Sequence, residues 1–253
     1  MKEDKAGSSY WNSIWTDKVV IHEIDIQYYT NNLLHDLYKQ YFEQNESKSI
    51  VEVGCALSAN LLYFNRYYNY QIHGFDYEEV SVLRTQNIYH KMGYTADIYH
   101  RDFFSKDTTK TYDVISSFGV FEHFENLENS IEQTKRYLKE DGMILTVIPN
   151  MNGIVGFFQK ILNRAVYDVH IPYTKEDILS AHQNAGYTTL FCDYYGVYQS
   201  GVINIQGIKY ESVIRKILAI PGKPLYFLSK LLRWDISNKM ISPYIIYIGK
   251  RSK

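Results

Sequence analysis

Residues 49–61 read SIVEVGCALSANL, and this stretch decides the fold. Ser49–Val53 is a short β-branched run, the pattern of a strand buried on both faces. Gly54, Ala56 and Ser58 then form a small-residue turn, and a helix is expected from about Ser58 to Tyr68. Such a turn lets a ligand approach the backbone closely, where larger side chains would block it. On its own, a plain strand–helix connection explains the pattern equally well.

Working outward, the alternation repeats. Strands are expected at Gln71–Phe75, Thr95–His100, Tyr112–Ser117 and Met143–Ile148, with helices at Glu78–Met92 and Leu127–Lys139. Glu140-Asp141-Gly142 reads as the turn before the strand at 143, with Gly142 taking the positive φ that ends the helix. A helix over Thr174–Ala185, with Thr174 as N-cap and Asp177 as the N3 acid, is closed by Gly186 and followed by a strand at Tyr187–Asp193. Ser242–Gly249 is a final apolar strand. Strands alternating with amphipathic helices build βαβ units, hence a mostly parallel α/β sheet, doubly wound with helices on both faces. The pattern breaks at 150–170 (one short apolar helix, GIVGFFQKIL) and at 200–238, where two amphipathic pieces, ESVIRKILAI and LYFLSKLLRW, are split at Pro221-Gly222-Lys223-Pro224. These are insertions near carboxyl ends of strands, the edge where open α/β sheets bind ligands. The domain expectation is an N-terminal helical lid segment, 1–44, ahead of an α/β domain, 45–253.

Composition limits the function classes. The chain of 253 residues is 45% hydrophobic and 22% charged, with 25 Tyr, 12 Phe and 3 Trp, ample for a folded core and against disorder. Two cysteines, Cys55 and Cys192, make no disulfide framework, which suggests a reducing, cytoplasmic setting. No window approaches the ~18 apolar residues of a membrane span, and charges in the first 20 residues leave no room for a secretory signal. Charge is uneven: residues 209–253 hold ten Lys/Arg against two acids, while 1–208 hold 17 against 26. A basic end on an acidic body suggests an anionic neighbour, although a solvated helix surface is the plainer reading.

Asp76 stands twenty-two residues after Gly54, at the end of the second strand, where an acid can accept hydrogen bonds from two ribose hydroxyls. Asp102-Phe103 follows the third strand, where the acid could take an adenine amino group and Phe103 pack on its ring. The three features after successive strands reinforce one another. Glu122, His123 and Glu125 fall within four residues, but no Cys/His partner spacing supports a metal, and none is expected. Tyr10, Trp11 and Trp15, followed by amphipathic Tyr28–Phe42, read as core packing or as a lid over a bound ligand.

At this point the sequence resembles the class I S-adenosylmethionine-dependent methyltransferases. Glu52, Gly54 and Cys55 match that family's acid–x–Gly–Cys–Gly–x–Gly turn, with Ala56 and Ser58 in place of two glycines. Asp76, with Tyr77 beside it, falls at the ribose-binding acid, and Asp102 at the adenine-binding acid. Tyr112–Phe124 (YDVISSFGVFEHF) is similar to the fourth strand and its Glu-His loop, placing Ser117 and Phe118 on the pocket wall. KEDGMILTVI (139–148) and HIPYTKEDILSAHQNAGY (170–187) resemble the passages around its fifth strand and following helix. The resemblance covers about 45–195 plus the last strand. It implies a Rossmann-like seven-stranded sheet with an antiparallel final strand, S-adenosyl-L-methionine as cofactor, and Glu52, Gly54, Cys55, Ala56, Asp76, Tyr77, Asp102, Phe103, Ser117 and Phe118 around it. No Asn/Asp-Pro-Pro-Tyr segment follows the fourth strand, which argues by analogy against DNA bases as acceptors.

The departures in the turn bear on the cofactor. A dinucleotide's pyrophosphate must be cradled by free N–H groups, so its glycines are demanding, whereas a sulfonium cofactor carries no phosphate. Displacement of the sulfonium methyl needs positioning and, for a hydroxyl acceptor, removal of a proton, for which His123 and His170 are the candidates. The chain also resembles methyltransferases of bacterial surface-polysaccharide gene clusters, so the expected reaction is O-methylation of a sugar or phosphate-bearing small molecule in capsule biosynthesis. The alternatives are a non-catalytic binding protein on the same fold and an RNA-directed methyltransferase. The helices over 211–234 suit a core-facing pair, a peripheral contact with the inner membrane, or the pairing of subunits into an oligomer.

Overall fold

Strand β1 (Ser49–Val53) is buried along its whole length, because it lies between two parallel neighbours. The structure is a computed structural model that describes residues 4–7, 10–11, 20–105, 110–232 and 236–252. Trp15 and Arg233, and the side chain of Leu232, lie outside the described residues. Seven strands form one sheet: β1, β2 (Gln71–Asp76), β3 (Ala96–His100), β4 (Tyr112–Phe118), β5 (Leu138–Pro149), β6 (Tyr187–Tyr195) and β7 (Tyr244–Arg251). Their spatial order is β3-β2-β1-β4-β5-β7-β6. The first five pair in parallel, and β7 runs antiparallel between β5 and β6. Strand order reverses between β1 and β4, the switch point at which such sheets open a crevice.

Helices α1 (Tyr29–Tyr38), α2 (Asn60–Tyr68), α3 (Glu79–Lys91), α4 (Leu127–Thr134) and α7 (Lys175–Asn184) cover the sheet, while α5 (Ile154–Leu162), α6 (Arg164–Asp168), α8 (Glu211–Ala219) and α9 (Gly222–Leu232) belong to the two insertions. α1 packs into the main core: Tyr38 stacks on Phe64 at 5.9 Å, His35 Nδ1 meets the Tyr63 hydroxyl at 2.9 Å, and the Tyr195 hydroxyl donates to the Leu33 carbonyl. The amphipathic Tyr28–Phe42 stretch is therefore core packing, as its apolar spacing allows. At α7 the expected capping box is present, with Thr174 and Asp177 each bonding the other's backbone N–H.

Four details depart from the sequence reading. The helix after β4 stops at Thr134, five residues short of Lys139, because Tyr137 and Leu138 are buried and Leu138 already pairs with Tyr112. The positive φ falls at Asp141 (63°), not at Gly142; a Cβ on Gly142 would instead come 2.7 Å from the Leu138 side chain. The 150–170 insertion holds two helices, broken at Asn163, whose side chain accepts from the Val166 N–H. In the second insertion the break falls before Gly222, and Pro224 sits inside the first turn of α9, where its missing N–H costs nothing. The two insertions share a small core of Val155, Tyr198, Ile203, Ile205 and Leu218.

Cys55 is fully buried under β2, and a Cβ on Gly74 would stand 2.6 Å from its sulfur. Gly74→Ala should therefore destabilise the fold by about 1–3 kcal/mol. Urea unfolding should show a smaller cost for the same change in a Cys55→Gly background, which removes both the sulfur and the Cβ that the new methyl would meet at 2.6 and 2.7 Å; equal costs would mean that the two residues are not in steric conflict.

Candidate active site

The β1–α2 turn is held by backbone donors that all find partners within the chain. Gly54 and Cys55 N–H groups donate to the Phe75 carbonyl, at 2.9 and 3.3 Å. The Ala56 N–H donates to Asp76 Oδ2 (3.2 Å), the Leu57 N–H to Thr85 Oγ1 (2.9 Å) and the Ser58 N–H to the Cys55 carbonyl (3.1 Å). Gly54 has φ +67°, and a Cβ there would meet Val120 Cγ2 at 2.7 Å, so glycine is required. The other left-handed residue of the turn is Leu57, at φ 51°. Ala56 and Ser58 are not left-handed, which is why glycine is dispensable at both. Ser58 also adds bonds that glycine could not make: its hydroxyl donates to Glu52 Oε2 (2.8 Å) and accepts from the Asn60 N–H (3.0 Å) at the start of α2.

A cavity of about 300 Å³ opens above this turn at the carboxyl ends of β1, β2 and β4, a size that fits a small-molecule site. Glu52, Gly54, Ala56, Asp76, Tyr77, Phe103, Phe118 and His123, all named from the sequence, line it. Its ionisable lining is mostly acidic, with Asp4, Glu52 and Asp76 beside Arg101. Asp76 accepts from the Ala56 and Glu78 N–H groups, so each carboxylate oxygen is fixed while lone pairs stay available to a ligand. Burial raises its pKa to about 6 against the pull of those bonds. Burial likewise raises Glu52 to about 8, with the Ser58 bond opposing and the nearby Asp76 charge adding to the rise.

Four residues named from the sequence do not line the cavity. Cys55 points into the core, where burial raises its thiol pKa. Asp102 turns back to accept from the Phe104 N–H (2.9 Å), an Asx turn that sets Phe103 into the wall while Arg101 takes the position beside the cavity. Ser117 is buried within β4, its hydroxyl without a partner among the described residues. His170 lies behind His123, their rings 4.6 Å apart. The two histidines thus form a pair, with one at the cavity. They meet because the Ile171 N–H donates to the Glu122 carbonyl and the Tyr173 hydroxyl to that of Phe124.

Each ring is fixed from behind. His123 Nδ1 donates to the Val169 carbonyl (2.9 Å) and His170 Nδ1 to the Val166 carbonyl (2.6 Å), since a carbonyl can only accept. In the neutral form both Nε2 atoms therefore carry lone pairs. Burial lowers both pKa values, that of His170 to about 4 with help from its neighbour's charge. Glu122 Oε1 stands 4.0 Å from His123 Nε2, and its Oε2 is buried with no partner among the described residues. Glu122, His123 and His170 have ligand-type atoms within 4.8 Å of one another, whereas Glu125 is exposed and belongs to no such cluster among the described residues.

Sequence reasoning missed Asp4, Arg101, Val120 and Phe124. Asp4 arrives from the N-terminus: it accepts from the Tyr77 hydroxyl (3.0 Å) and the Trp11 indole N–H (3.2 Å), and Lys5 N–H donates to the His123 carbonyl. Trp11 lies edge-on to His123 at 5.1 Å. The Tyr10-Trp11 pair was the available signal, but no local pattern links residue 4 to residue 77.

Comparison with known proteins places these features. A family model described as a methyltransferase domain matches residues 26–190. A Papaver bracteatum protein described as (S)-tetrahydroprotoberberine N-methyltransferase 2 is 25% identical over 112 residues, 44% of this chain. The match spans about a third (31%) of that relative's length. Among solved structures, a protein described as a sarcosine dimethylglycine methyltransferase from Galdieria sulphuraria superposes with TM-score 0.59 at 14% identity, over 88% of this chain and 85% of the other. Geranyl diphosphate C-methyltransferase from Streptomyces coelicolor A3(2), solved with Mg2+, geranyl diphosphate and S-adenosyl-L-homocysteine, gives 0.58 at 10% identity, over 86% and 76%. At these identities the likeness is one of fold.

Glu52 yields a stability test. Its carboxyl is neutral in both states below its ordinary value of 4.5, but between 4.5 and about 8 only the unfolded chain ionises freely, so stability falls as pH rises through that window. Glu52→Gln keeps an acceptor for Ser58 and removes the titration. It should be more stable than the parent at pH 8, by on the order of 2 kcal/mol, with the gap closing towards pH 5. Urea midpoints at the two pH values measure this, and an equal gap at both would contradict it.

Proposed function

The chain belongs to the methyltransferase-domain family that matches it, and we propose that it binds S-adenosylmethionine in the β1–α2 cavity and transfers its methyl group to the hydroxyl of a small molecule. The observation that carries the cofactor is the state of the turn: every N–H from Gly54 to Ser58 is used within the chain. A pyrophosphate would find no free donors there, and it would face an acidic lining. S-adenosylmethionine, whose sulfonium and ammonium groups outweigh its single carboxylate, matches that lining. The Streptomyces enzyme of like fold, solved with S-adenosyl-L-homocysteine, supports the same choice.

The residues fit such a ligand. Asp76, with an open lone pair on each oxygen, takes the ribose hydroxyls; Phe103 and Tyr77 flank the base; Gly54 lets the aminocarboxypropyl arm lie on the backbone. When bound, the cofactor supplies an activated methyl group with a neutral leaving group. His123 Nε2 then accepts the proton of the attacking hydroxyl, with Val169 holding the ring and His170 behind it. The N-terminal residues Asp4 and Trp11 close one side of the cavity in the manner of a lid. The acceptor class, a sugar or phosphate-bearing precursor of a bacterial surface polysaccharide, is supported by the resemblance to methyltransferases of those gene clusters and by the histidine at the cavity, which suits a neutral hydroxyl.

Asp76→Ala should weaken S-adenosylhomocysteine binding at least tenfold while leaving the circular dichroism spectrum unchanged; retained affinity would refute the ribose assignment. Because Asp76 titrates near 6 when free and ribose donors favour its ionised form, affinity should rise between pH 5 and pH 7. That rise should vanish in Asp76→Asn. With a hydroxyl acceptor, His123→Ala should lower kcat by ~10²-fold or more at unchanged cofactor affinity; an unchanged kcat would exclude this base.

A further inference from the structure

Among the described residues, ten of the sixteen large apolar side chains that stand exposed fall within 154–162 and 210–240. On α8, Val213, Ile217 and Ile220 recur at steps of four and three, so they share one face, with Ile217 59% and Ile220 68% exposed. An adjacent side of that helix sends Ile214 and Leu218 into the small core between the insertions. On α9, Phe227 and Leu231 are 65% and 80% exposed at a step of four, while Tyr226 is buried. Phe157 and Ile161 repeat the pattern on α5. These helices thus have two apolar sides, and only one is used by the fold.

Cations border the unused side. Lys216 lies three residues from Val213 and four from Ile220; Lys223 and Lys230 lie four and three from Phe227, so each lysine flanks the apolar stripe of its helix. Lys209 stands just ahead of α8. The one acid between 209 and 232, Glu211, is paired with Arg215 at 2.9 Å. Exposed aliphatic side chains edged by lysines match the boundary of a bilayer, where the apolar stripe enters the acyl region and the ammonium groups meet phosphates. A second copy of the chain is a poorer occupant, because this face packed on itself would bring lysines from both copies together with no acid between 209 and 232 left to meet them, Glu211 being paired with Arg215. No helix among the described residues is long and apolar enough to cross a membrane.

We propose that the outer face of the α8 and α9 insertion, with α5 beside it, is a docking surface for an anionic lipid bilayer. β5 and β6 are both oriented as β1 is, so both insertions leave the same edge of the sheet that carries the cavity. Docking would bring that edge towards the membrane. The surface is separate from the cavity and does not depend on the reaction catalysed there.

The test is co-sedimentation of the full chain with vesicles of phosphatidylglycerol mixed with phosphatidylcholine, against phosphatidylcholine alone. The protein should pellet with the anionic vesicles, with several-fold loss when NaCl rises from ~0.1 to ~0.5 M. The pair Ile217→Glu and Leu231→Glu should lower partitioning at least tenfold, while S-adenosylhomocysteine affinity and the dichroism spectrum match the parent, which separates loss of docking from loss of fold. Lys216→Glu with Lys223→Glu should lower binding to anionic vesicles only. Three results would overturn the proposal: no preference for anionic vesicles; parental vesicle binding by the Ile217/Leu231 variant, with RNA competing for the lysines; or a parental dimer that this variant converts to a monomer.

Discussion

One carboxylate ties the site together. Asp76 ends β2, and by accepting the Ala56 and Glu78 N–H groups it locks the turn after β1 to the turn after β2. With Phe75 and Thr85 taking the neighbouring amides, the turn needs no ligand to satisfy its donors. The site is therefore preformed, and its shape no longer depends on the three glycines that a phosphate-cradling loop requires. Burial of two acids so close together, Glu52 and Asp76, costs stability in the free protein. That cost is what a cationic ligand with hydroxyl donors would relieve.

The same constraint explains how much was legible in the sequence. Strand positions were readable because β1, β4 and β5 carry β-branched residues in short, almost wholly buried runs. Gly54 and Asp76 were readable because strand length and crossover length fix the distance between them. Asp102 was legible only in part: its type and position suit a ligand, and in the structure Oδ1 bonds its own loop at the Phe104 N–H while Arg101 and Phe103 line the cavity. The helix ending at Thr134 and the left-handed Asp141 were hidden by tertiary demands, since the burial of Leu138 decides where β5 begins. Asp4 and His170 reach the site through contacts made across more than forty residues of chain, which no local pattern records.

The molecule divides its work between the sheet and what is added to it. The sheet and the turns at its carboxyl edge set the cavity, its acidity and the tautomer of His123. The insertions after β5 and β6 build a second core of their own and present amphipathic helices outward from that same edge. The proposed membrane docking and the proposed methyl transfer therefore call on different residues, so a substitution can test one without the other.

The central claim is that the cavity holds a sulfonium nucleoside and not a dinucleotide. Isothermal titration of the unaltered protein with S-adenosylmethionine, S-adenosylhomocysteine and NAD tests it directly. The account predicts one site per chain for both sulfur ligands and no heat with NAD. Saturable NAD binding, or silence with all three, would contradict it.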